Sequence, residues 1–111
     1  MVFVYDFNNE NRHDARYIDK LMFFDEIDRL FNDMSELNID FCNCVLFSNF
    51  KSIDEFIGHA KRSGYSVEYT LTRSNGVSVF ILAKNGNIVL AHAEKEGQIF
   101  VVALIKENIS S

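Results

Sequence analysis

The sequence predicts an α+β fold, in part ferredoxin-like, in which two helices pack on one face of a mixed sheet of about six strands. Two segments carry apolar residues at the three- and four-residue spacings of amphipathic helices. Short apolar or alternating runs, typical of strands, lie between and after them. Two Asn-Gly pairs separate the later runs and indicate β-hairpin turns, because both residues adopt a positive φ at little cost. The predicted order is β-α-β-α-β-β-β-β in a single domain, residues 1–111.

The first half of the chain begins with a short apolar run at residues 2–7, which predicts a strand. Residues 8–16 are polar and irregular. From residue 17 the apolar residues recur every three or four positions, which predicts a helix over residues 17–36 that packs on the sheet. Its apolar face comprises Phe23, Ile27, Leu30, Met34 and Leu37, widened by Leu21, Phe24 and Phe31.

A second helix is predicted after a buried strand at residues 41–47. Ser52 and Glu55 have the spacing of a capping box, in which each side chain satisfies a backbone N–H of the other residue. Lys61 and Arg62 lie in the last turn, where the helix dipole favours cations. Gly64 follows at the position that takes a left-handed conformation. The predicted buried stripe of this helix is Ile53, Phe56, Ile57 and Ala60.

Four strands are predicted in the second half, at residues 66–72, 77–84, 88–93 and 99–105. In the first of these, Val67, Tyr69 and Leu71 alternate with polar residues, which predicts one buried face. Residues 77–82 and 99–105 are almost wholly apolar, so both faces of the sheet should be buried there. Two helices cover only one face. The other face therefore curls on itself or is covered by a second subunit or a partner, and the sequence favours neither.

Composition limits the classes of function. The chain lacks the basic start and long apolar run of a signal peptide, and it lacks the ~18 apolar residues of a membrane span. Two cysteines are too few for a secreted disulfide scaffold. We therefore expect a cytoplasmic protein that does not contact a membrane. Its net charge of −5 disfavours direct nucleic-acid binding and favours a basic protein partner.

Cys42 and Cys44 are candidate metal ligands, with His59 and His92 completing a Cys₂His₂ set. The usual ligand spacing is absent, and cysteines within an apolar strand are typically buried and structural. The same burial argues against a nucleophilic cysteine. We therefore expect no metal site.

Motifs for catalysis are also missing. The sequence has no G-x-S-x-G turn, no G-x-G-x-x-G loop and no Walker loop. His13 lies beside Asp14 in a polar segment, an arrangement that is usually only solvated. The sequence thus predicts no catalytic residue and no cofactor, and a protein that is not an enzyme.

The first helix is strongly acidic. Residues 17–40 carry a net charge of −5, equal to that of the whole chain. Like charges on one helix face cost stability, whereas pairs of opposite charge would have stabilised it, so the excess suggests a use. The predicted partner-binding residues are Asp19, Asp25, Glu26, Asp28, Asp33 and Glu36.

Residues 45–56, VLFSNFKSIDEF, continue through Ala60 to the segment GYSVE at residues 64–68. This stretch resembles the strand, the helix and the G-Y-x-V strand of RraB-like ribonuclease E inhibitors, and the likeness covers about residues 20–84. After residue 84 the sequence has two strands where that family has a final helix and an Asp-Gly-Trp motif. The resemblance implies a compact acidic protein that binds and restrains a basic nuclease. It assigns no functional residue.

Three functions are consistent with these observations. The first is a small acidic inhibitor, of the immunity-protein or antitoxin type, that binds and blocks a basic nuclease or toxin domain. The second is a small enzyme or ligand-binding domain that uses the cleft between helices and sheet. The third is a structural or interaction subunit that forms a homodimer through its apolar sheet face.

Overall fold

The computed structural model describes residues 15–74, 76–94 and 98–107. Its elements are β1 (Arg16–Tyr17), α1 (Phe23–Glu36), β2 (Phe41–Phe47), α2 (Ile53–Arg62), β3 (Ser66–Thr72), β4 (Ser78–Lys84), β5 (Asn87–Ala93) and β6 (Ile99–Lys106). They confirm the α+β class and the predicted order. The strand predicted at residues 2–7 lies outside the described residues.

The six strands form one sheet in the order β1-β2-β6-β5-β4-β3. Strands β1 and β2 are parallel, and the other neighbouring pairs are antiparallel. Strands β3 to β6 form a meander that returns to the middle of the sheet beside β2. Because β1 and β3 lie at opposite edges, the described sheet is open and does not close into a barrel. Neither described helix has the length and apolar content needed to cross a bilayer.

Helix α1 ends where predicted, but it begins at Phe23 and not at residue 17. Tyr17 instead pairs with Phe47 in the β1–β2 ladder. Asp19 then forms a turn, because its side chain accepts the N–H of Leu21 at 2.9 Å and its carbonyl accepts the N–H of Met22 at 2.9 Å. A side chain that bonds nearby backbone N–H groups in this way competes with the helix and delays its start.

Helix α2 has the predicted bounds. Ser52 Oγ accepts the N–H of Glu55 at 3.1 Å, as a capping box requires. The reciprocal bond is displaced by one residue, because Glu55 accepts the N–H of Lys51 at 2.7 Å and not that of Ser52. Gly64 ends the helix with a φ of +93°, which confirms the predicted left-handed position.

The core lies between the two helices and one face of the sheet. Phe56 is buried at its centre, with ring centroids 5.2 to 6.3 Å from those of Phe23, Phe24, Phe50 and Phe80. The inward residues alternate along β4 and β5, where they include Phe80, Leu82, Val89 and Ala91; in β6 a register shift interrupts the alternation, and Val101 and Leu104 face the core. Two residues predicted on the apolar face of the first helix lie outside this core. Leu21 is 74% exposed because it precedes α1, and Leu37 is 66% exposed because it follows the last turn.

Strand β3 differs from its predicted pattern. Val67 pairs with Leu82 and Tyr69 pairs with Ile81, so Glu68 is an extra residue that forms a β-bulge. Val67 packs against the core, whereas Tyr69 lies on the opposite face and is 50% exposed. The prediction of one buried face for Val67, Tyr69 and Leu71 is therefore wrong, since a bulge reverses the faces of the residues that follow it.

The turn between β4 and β5 confirms the second predicted hairpin. Asn85 and Gly86 have φ values of +50° and +82°, the pair of positive angles that a type I′ turn requires. In the first predicted turn, Asn75 lies outside the described residues. Its neighbour Gly76 has a φ of +87°, and β3 and β4 pair as an antiparallel hairpin.

Candidate functional site

Glu26, in the first turn of α1, is engaged within the chain. Its carboxylate accepts two hydrogen bonds from the Arg29 guanidinium, at 2.5 and 2.9 Å, and it also pairs with Arg16 of β1. Hydrogen bonding from Arg29, aided by Arg16, lowers the pKa of Glu26 to about 2, although partial burial opposes the change. This predicted partner-binding residue is therefore ionised at neutral pH and already neutralised by its neighbours.

Asp28 is also held by the rest of the chain. Its Oδ1 accepts a 2.7 Å hydrogen bond from the Tyr65 hydroxyl, and its Oδ2 lies 3.0 Å from Nζ of Lys84. The Lys84 ammonium lies 5.1 Å from the centroid of the Tyr65 ring, within cation–π distance. Asp28 thus links α1 to the start of β3 and the end of β4, and about a third of its side chain is exposed.

The other predicted carboxylates are more available for contact with a partner. Asp33 accepts a 2.9 Å hydrogen bond from Arg29, and both side chains are about half exposed. Asp19 is exposed, and one of its carboxylate oxygens accepts the backbone N–H of Leu21. Asp25 and Glu36 are exposed, and neither forms an ion pair with any residue that the structure describes.

Helix α1 and its flanking residues keep a net negative charge when the charged residues that contact them are counted. Residues 17–40 hold seven carboxylates and two cations. Contacts with this segment bring three further cations, Arg16, Lys84 and Lys106, and one further carboxylate, Glu55, which pairs with Lys20. The balance that remains is −3. We call the surface of residues 17–40 the acidic α1 surface; its carboxylates are Asp40 and the predicted partner-binding residues Asp19, Asp25, Glu26, Asp28, Asp33 and Glu36.

The face of the sheet opposite the helices carries mostly apolar side chains. One row crosses all six strands in register and consists of Tyr17, Phe47, Phe100, His92, Val79 and Leu71. Adjacent rings in this row are in contact, with centroids 5.6 to 5.8 Å apart from Tyr17 to His92. None of the six side chains is buried. We call this row and its neighbours the open sheet face; the neighbours are Phe41, Tyr69, Ile81, Ile88, Leu90 and Ile105.

Few charges lie on the open sheet face. Lys84 at the end of β4 turns to the helix side and pairs with Asp28. Lys106 at the end of β6 also reaches the helix side, where it bonds Ser35 of α1. The aromatic row was missed from the sequence because it depends on register and strand order. The only feature of the sequence that pointed to the row was the presence of aromatic residues in the predicted strands.

The two cysteines lie on β2 and are free thiols. Cys42 lines a cavity of about 260 Å³, whose other walls come from the end of α1 and the segment after it: Leu30, Asp33, Met34, Leu37 and Ile39. A hydrogen bond with Cys44 lowers the pKa of the Cys42 thiol to about 7, although burial opposes the change. The same bond and deeper burial raise the pKa of Cys44. Both cysteines are half-buried and pack against the core, so the prediction that they are buried holds only in part, and Cys42 also adjoins a cavity.

The four candidate metal ligands do not converge. His59 of α2 lies on the helix side, with its ring centroid 5.4 Å from that of Phe50. His92 lies on the open sheet face against Phe100. The sheet separates the two imidazoles. Among the described residues, no three His, Cys, Asp or Glu side chains form a group that could hold a metal ion. His13 and Asp14 lie outside the described residues.

The described residues form a two-layer α+β fold with an acidic helix layer and the mainly apolar open sheet face. Comparisons with protein-family models, curated proteins and solved structures find no match to this chain. The resemblance to RraB-like ribonuclease E inhibitors therefore stays a prediction from the sequence.

Proposed function

We propose that this chain is a small cytoplasmic inhibitor, of the immunity-protein or antitoxin type, that binds and blocks a basic protein, a nuclease or toxin domain. The observation that carries the proposal is the acidic α1 surface, which keeps a balance of −3 after the charged residues that contact it are counted. A surface of one sign attracts a partner of the opposite sign and accelerates its association. The two free thiols fit the reducing environment of the cytoplasm.

Asp25 and Glu36 are the residues best placed to contact this partner. They are eleven positions apart on α1, close to three full turns, so they project from nearly the same line about 16 Å apart. Both are exposed, while the buried residues of the helix face the sheet. Carboxylates in this position would occupy the cationic surface with which a nuclease holds phosphates.

The test is recovery of a partner from cell lysate on the immobilised protein at low and high salt. The variant Asp25→Lys/Glu36→Lys changes the charge on α1 by four. The control Glu68→Lys/Glu107→Lys makes the same change on exposed residues of β3 and the segment after β6. We expect the wild type and the control to retain a basic protein at ~50 mM salt and release it at ~500 mM, because screening shortens the range of the attraction. We expect the α1 variant to retain none.

The recovered protein is then identified and assayed. Inhibition of its nuclease or toxin activity by the wild type, but not by the α1 variant, would support the proposal. Equal loss of capture in the control would show that only net charge matters. Capture that is unchanged at high salt would show that the contact is not electrostatic. Either result would contradict the proposed site.

A homodimer formed through the open sheet face is the second candidate. The row from Tyr17 to Leu71 favours it, because it forms a continuous apolar strip across the described sheet whose two ends, Tyr17 and Leu71, are about half exposed. Strands β2 to β6, of seven or eight residues each, and the two-residue β1 present a face of at most roughly 24 by 24 Å, which is below the ~800 Å² per subunit of a standard stable interface. Stacked sheets pack about 10 Å apart with their side chains interdigitated.

Sedimentation equilibrium distinguishes the two candidates. A dimer through the open sheet face should persist at high salt and dissociate in the variant Tyr69→Glu/Leu71→Glu, whose two positions lie on an edge strand and are about half exposed. The Asp25→Lys/Glu36→Lys variant should leave it intact. A 12.8 kDa species at every concentration would remove this candidate.

A further inference from the structure

Strand β3 lies at one edge of the sheet, and its outer side pairs with no strand among the residues that the structure describes. Residues 68–72 are all exposed, on both faces of the sheet. Natural edge strands are usually protected from pairing by charges, proline or a bulge. Here the bulge at Glu68 and the charge of Arg73 flank residues 69–72, which contain neither charge nor proline. Tyrosine and threonine favour strands, so this stretch presents an unprotected edge.

The backbone groups that point to this edge belong to Thr70 and Thr72. In the hairpin that joins β3 to β4, the N–H of Arg73 donates to the carbonyl of Val77 at 2.8 Å. Antiparallel strands alternate between hydrogen-bonded and non-hydrogen-bonded pairs. Every second residue of β3 before Arg73 therefore bonds β4, and the two threonines between them do not. Their N–H and C=O groups face outward and are available to another strand.

The stretch is complementary to a second copy of itself. When two copies pair antiparallel about a two-fold axis at Leu71, Thr70 of each copy lies opposite Thr72 of the other, and the two pairs exchange four backbone hydrogen bonds. On the open sheet face, Leu71 then meets Leu71 of the second copy. Tyr69 lies opposite Arg73 of the second copy, within reach of a cation–π contact. The pairing thus covers Tyr69 and Leu71, which are 50% and 45% exposed in the single chain.

The charges at the two ends of the stretch favour this orientation. Glu68 and Arg73 are exposed, and neither forms an ion pair with any residue that the structure describes. An antiparallel copy brings Glu68 to the end at which Arg73 of the second copy lies. A parallel copy in register would place each charge beside its like, which disfavours pairing. The edge is therefore complementary in charge to a second, antiparallel copy.

We propose that β3 is a self-association edge, through which two copies of this chain pair along residues 69–73 and join their six-stranded sheets into one. This contact differs from a dimer through the open sheet face, because it joins edges and leaves that face uncovered. A strand pair of this length buries a small area, so the dimer dissociates on dilution. The proposal does not rest on the partner-binding function.

Sedimentation velocity over ~10 μM to ~1 mM protein measures the self-association. We expect the wild type to shift from monomer to dimer as its concentration rises. Thr70→Pro removes two of the four hydrogen bonds between copies and none to β4, and proline is tolerated on an edge strand where its nitrogen faces solvent. This variant should keep the wild-type circular dichroism spectrum and dimerise at least about tenfold more weakly.

Leu71→Lys tests the two-fold axis without changing the backbone, because it places two ammonium groups opposite each other. The control Tyr17→Lys adds the same charge to the same face at the opposite edge of the sheet, on a side chain that is 53% exposed. We expect Leu71→Lys to weaken the dimer at least about tenfold and Tyr17→Lys to leave it unchanged. A dimer through the open sheet face would be weakened by both changes and retained by Thr70→Pro.

An exchange of charges tests the orientation. Glu68→Arg and Arg73→Glu each place like charges at both ends of the paired stretch, so each should weaken the dimer. The double variant Glu68→Arg/Arg73→Glu restores opposite charges and should recover most of the lost affinity.

Four results would overturn the proposal. The first is a 12.8 kDa monomer at every concentration. The second is wild-type dimerisation in both Thr70→Pro and Leu71→Lys, and the third is equal weakening in Tyr17→Lys and Leu71→Lys. The fourth is a double charge variant that dimerises no better than either single variant.

Discussion

The hydroxyl of Tyr65 donates a 2.7 Å hydrogen bond to the carboxylate of Asp28, across 37 positions of the sequence. Lys84 completes the contact by pairing with the second oxygen of Asp28 and lying over the Tyr65 ring. The three residues join α1, the start of β3 and the end of β4. Asp28, one of the partly buried carboxylates of the acidic α1 surface, thus ties the helix to the sheet.

Replacing Tyr65 by Phe should lower the free energy of unfolding by about 1–2 kcal/mol, because a hydrogen bond to a charged acceptor is lost while the ring stays packed. Urea denaturation measures the change. The control Tyr17→Phe removes an exposed hydroxyl that bonds Asn49 at 3.2 Å, and it should cost less than about 0.5 kcal/mol. Equal losses in the two variants would contradict a special role for the Tyr65–Asp28 bond.

The same contact predicts a loss of stability in alkali. Burial, together with the hydrogen bond to Asp28, raises the pKa of Tyr65 above its usual value of 10. The folded protein therefore holds this proton more tightly than the unfolded chain does, so the stability it contributes is present below pH 10 and falls as the pH rises above it. In Tyr65→Phe, the decline above pH 10 should be smaller than in the wild type. Identical alkaline profiles would contradict the assignment.

The contacts of Glu26 predict a loss of stability in acid. Hydrogen bonds from Arg29, with Arg16, lower its pKa from 4.5 to about 2. The unfolded chain takes up this proton first, so the stabilisation is present above pH 4.5 and declines as the pH falls towards 2. Glu26→Gln should flatten the loss of stability across that interval. Asp25→Asn, at the adjacent exposed position, should retain the wild-type slope.

Phe56 is the centre of the aromatic core, so Phe56→Ala should cost about 3–5 kcal/mol through the lost burial and the cavity that remains. The less severe Phe56→Leu should keep the chain folded and cost less, which permits measurement where the alanine variant is unfolded. Leu21→Ala, at a position that is 74% exposed, should change the unfolding free energy by less than about 0.5 kcal/mol. A small effect at Phe56 would contradict the packing described.

Ser52→Ala should lower the free energy of unfolding by about 1 kcal/mol, because the N–H of Glu55 loses its acceptor at the start of α2. Thermal melting or urea denaturation measures this. Ser74→Ala, at an exposed position in the turn after β3, is the matched control and should be nearly neutral. Ser52→Asp should retain most of the stability, since aspartate also caps a helix.

Signals between close neighbours in the sequence allowed reliable prediction. Ser52 and Gly64 lie at the two ends of α2 and specify them through contacts within a few residues, and Asn85-Gly86 specifies its turn in the same way. The start of α1 was misplaced because the helical spacing of apolar residues continued through Tyr17, which pairs with β2 instead. The faces of β3 were misassigned because no local pattern marks Glu68 as a bulge.

The features of the candidate sites also fall into two groups, those set by the local sequence and those set by contacts between distant residues. The acidity of the first helix is a property of composition, and it is readable from residues 17–40 alone. The neutralisation of Glu26 by Arg16, the tie from Asp28 to Tyr65 and Lys84, and the cavity beside Cys42 all join distant parts of the chain. The bounds of α2 and the turn after β4 follow from interactions within a few residues, whereas the start of α1, the sheet order, the bulge and the contacts between elements depend on how the whole chain packs. Tertiary structure therefore decided which carboxylates face solvent, which cysteine adjoins a cavity and which aromatic residues form one row.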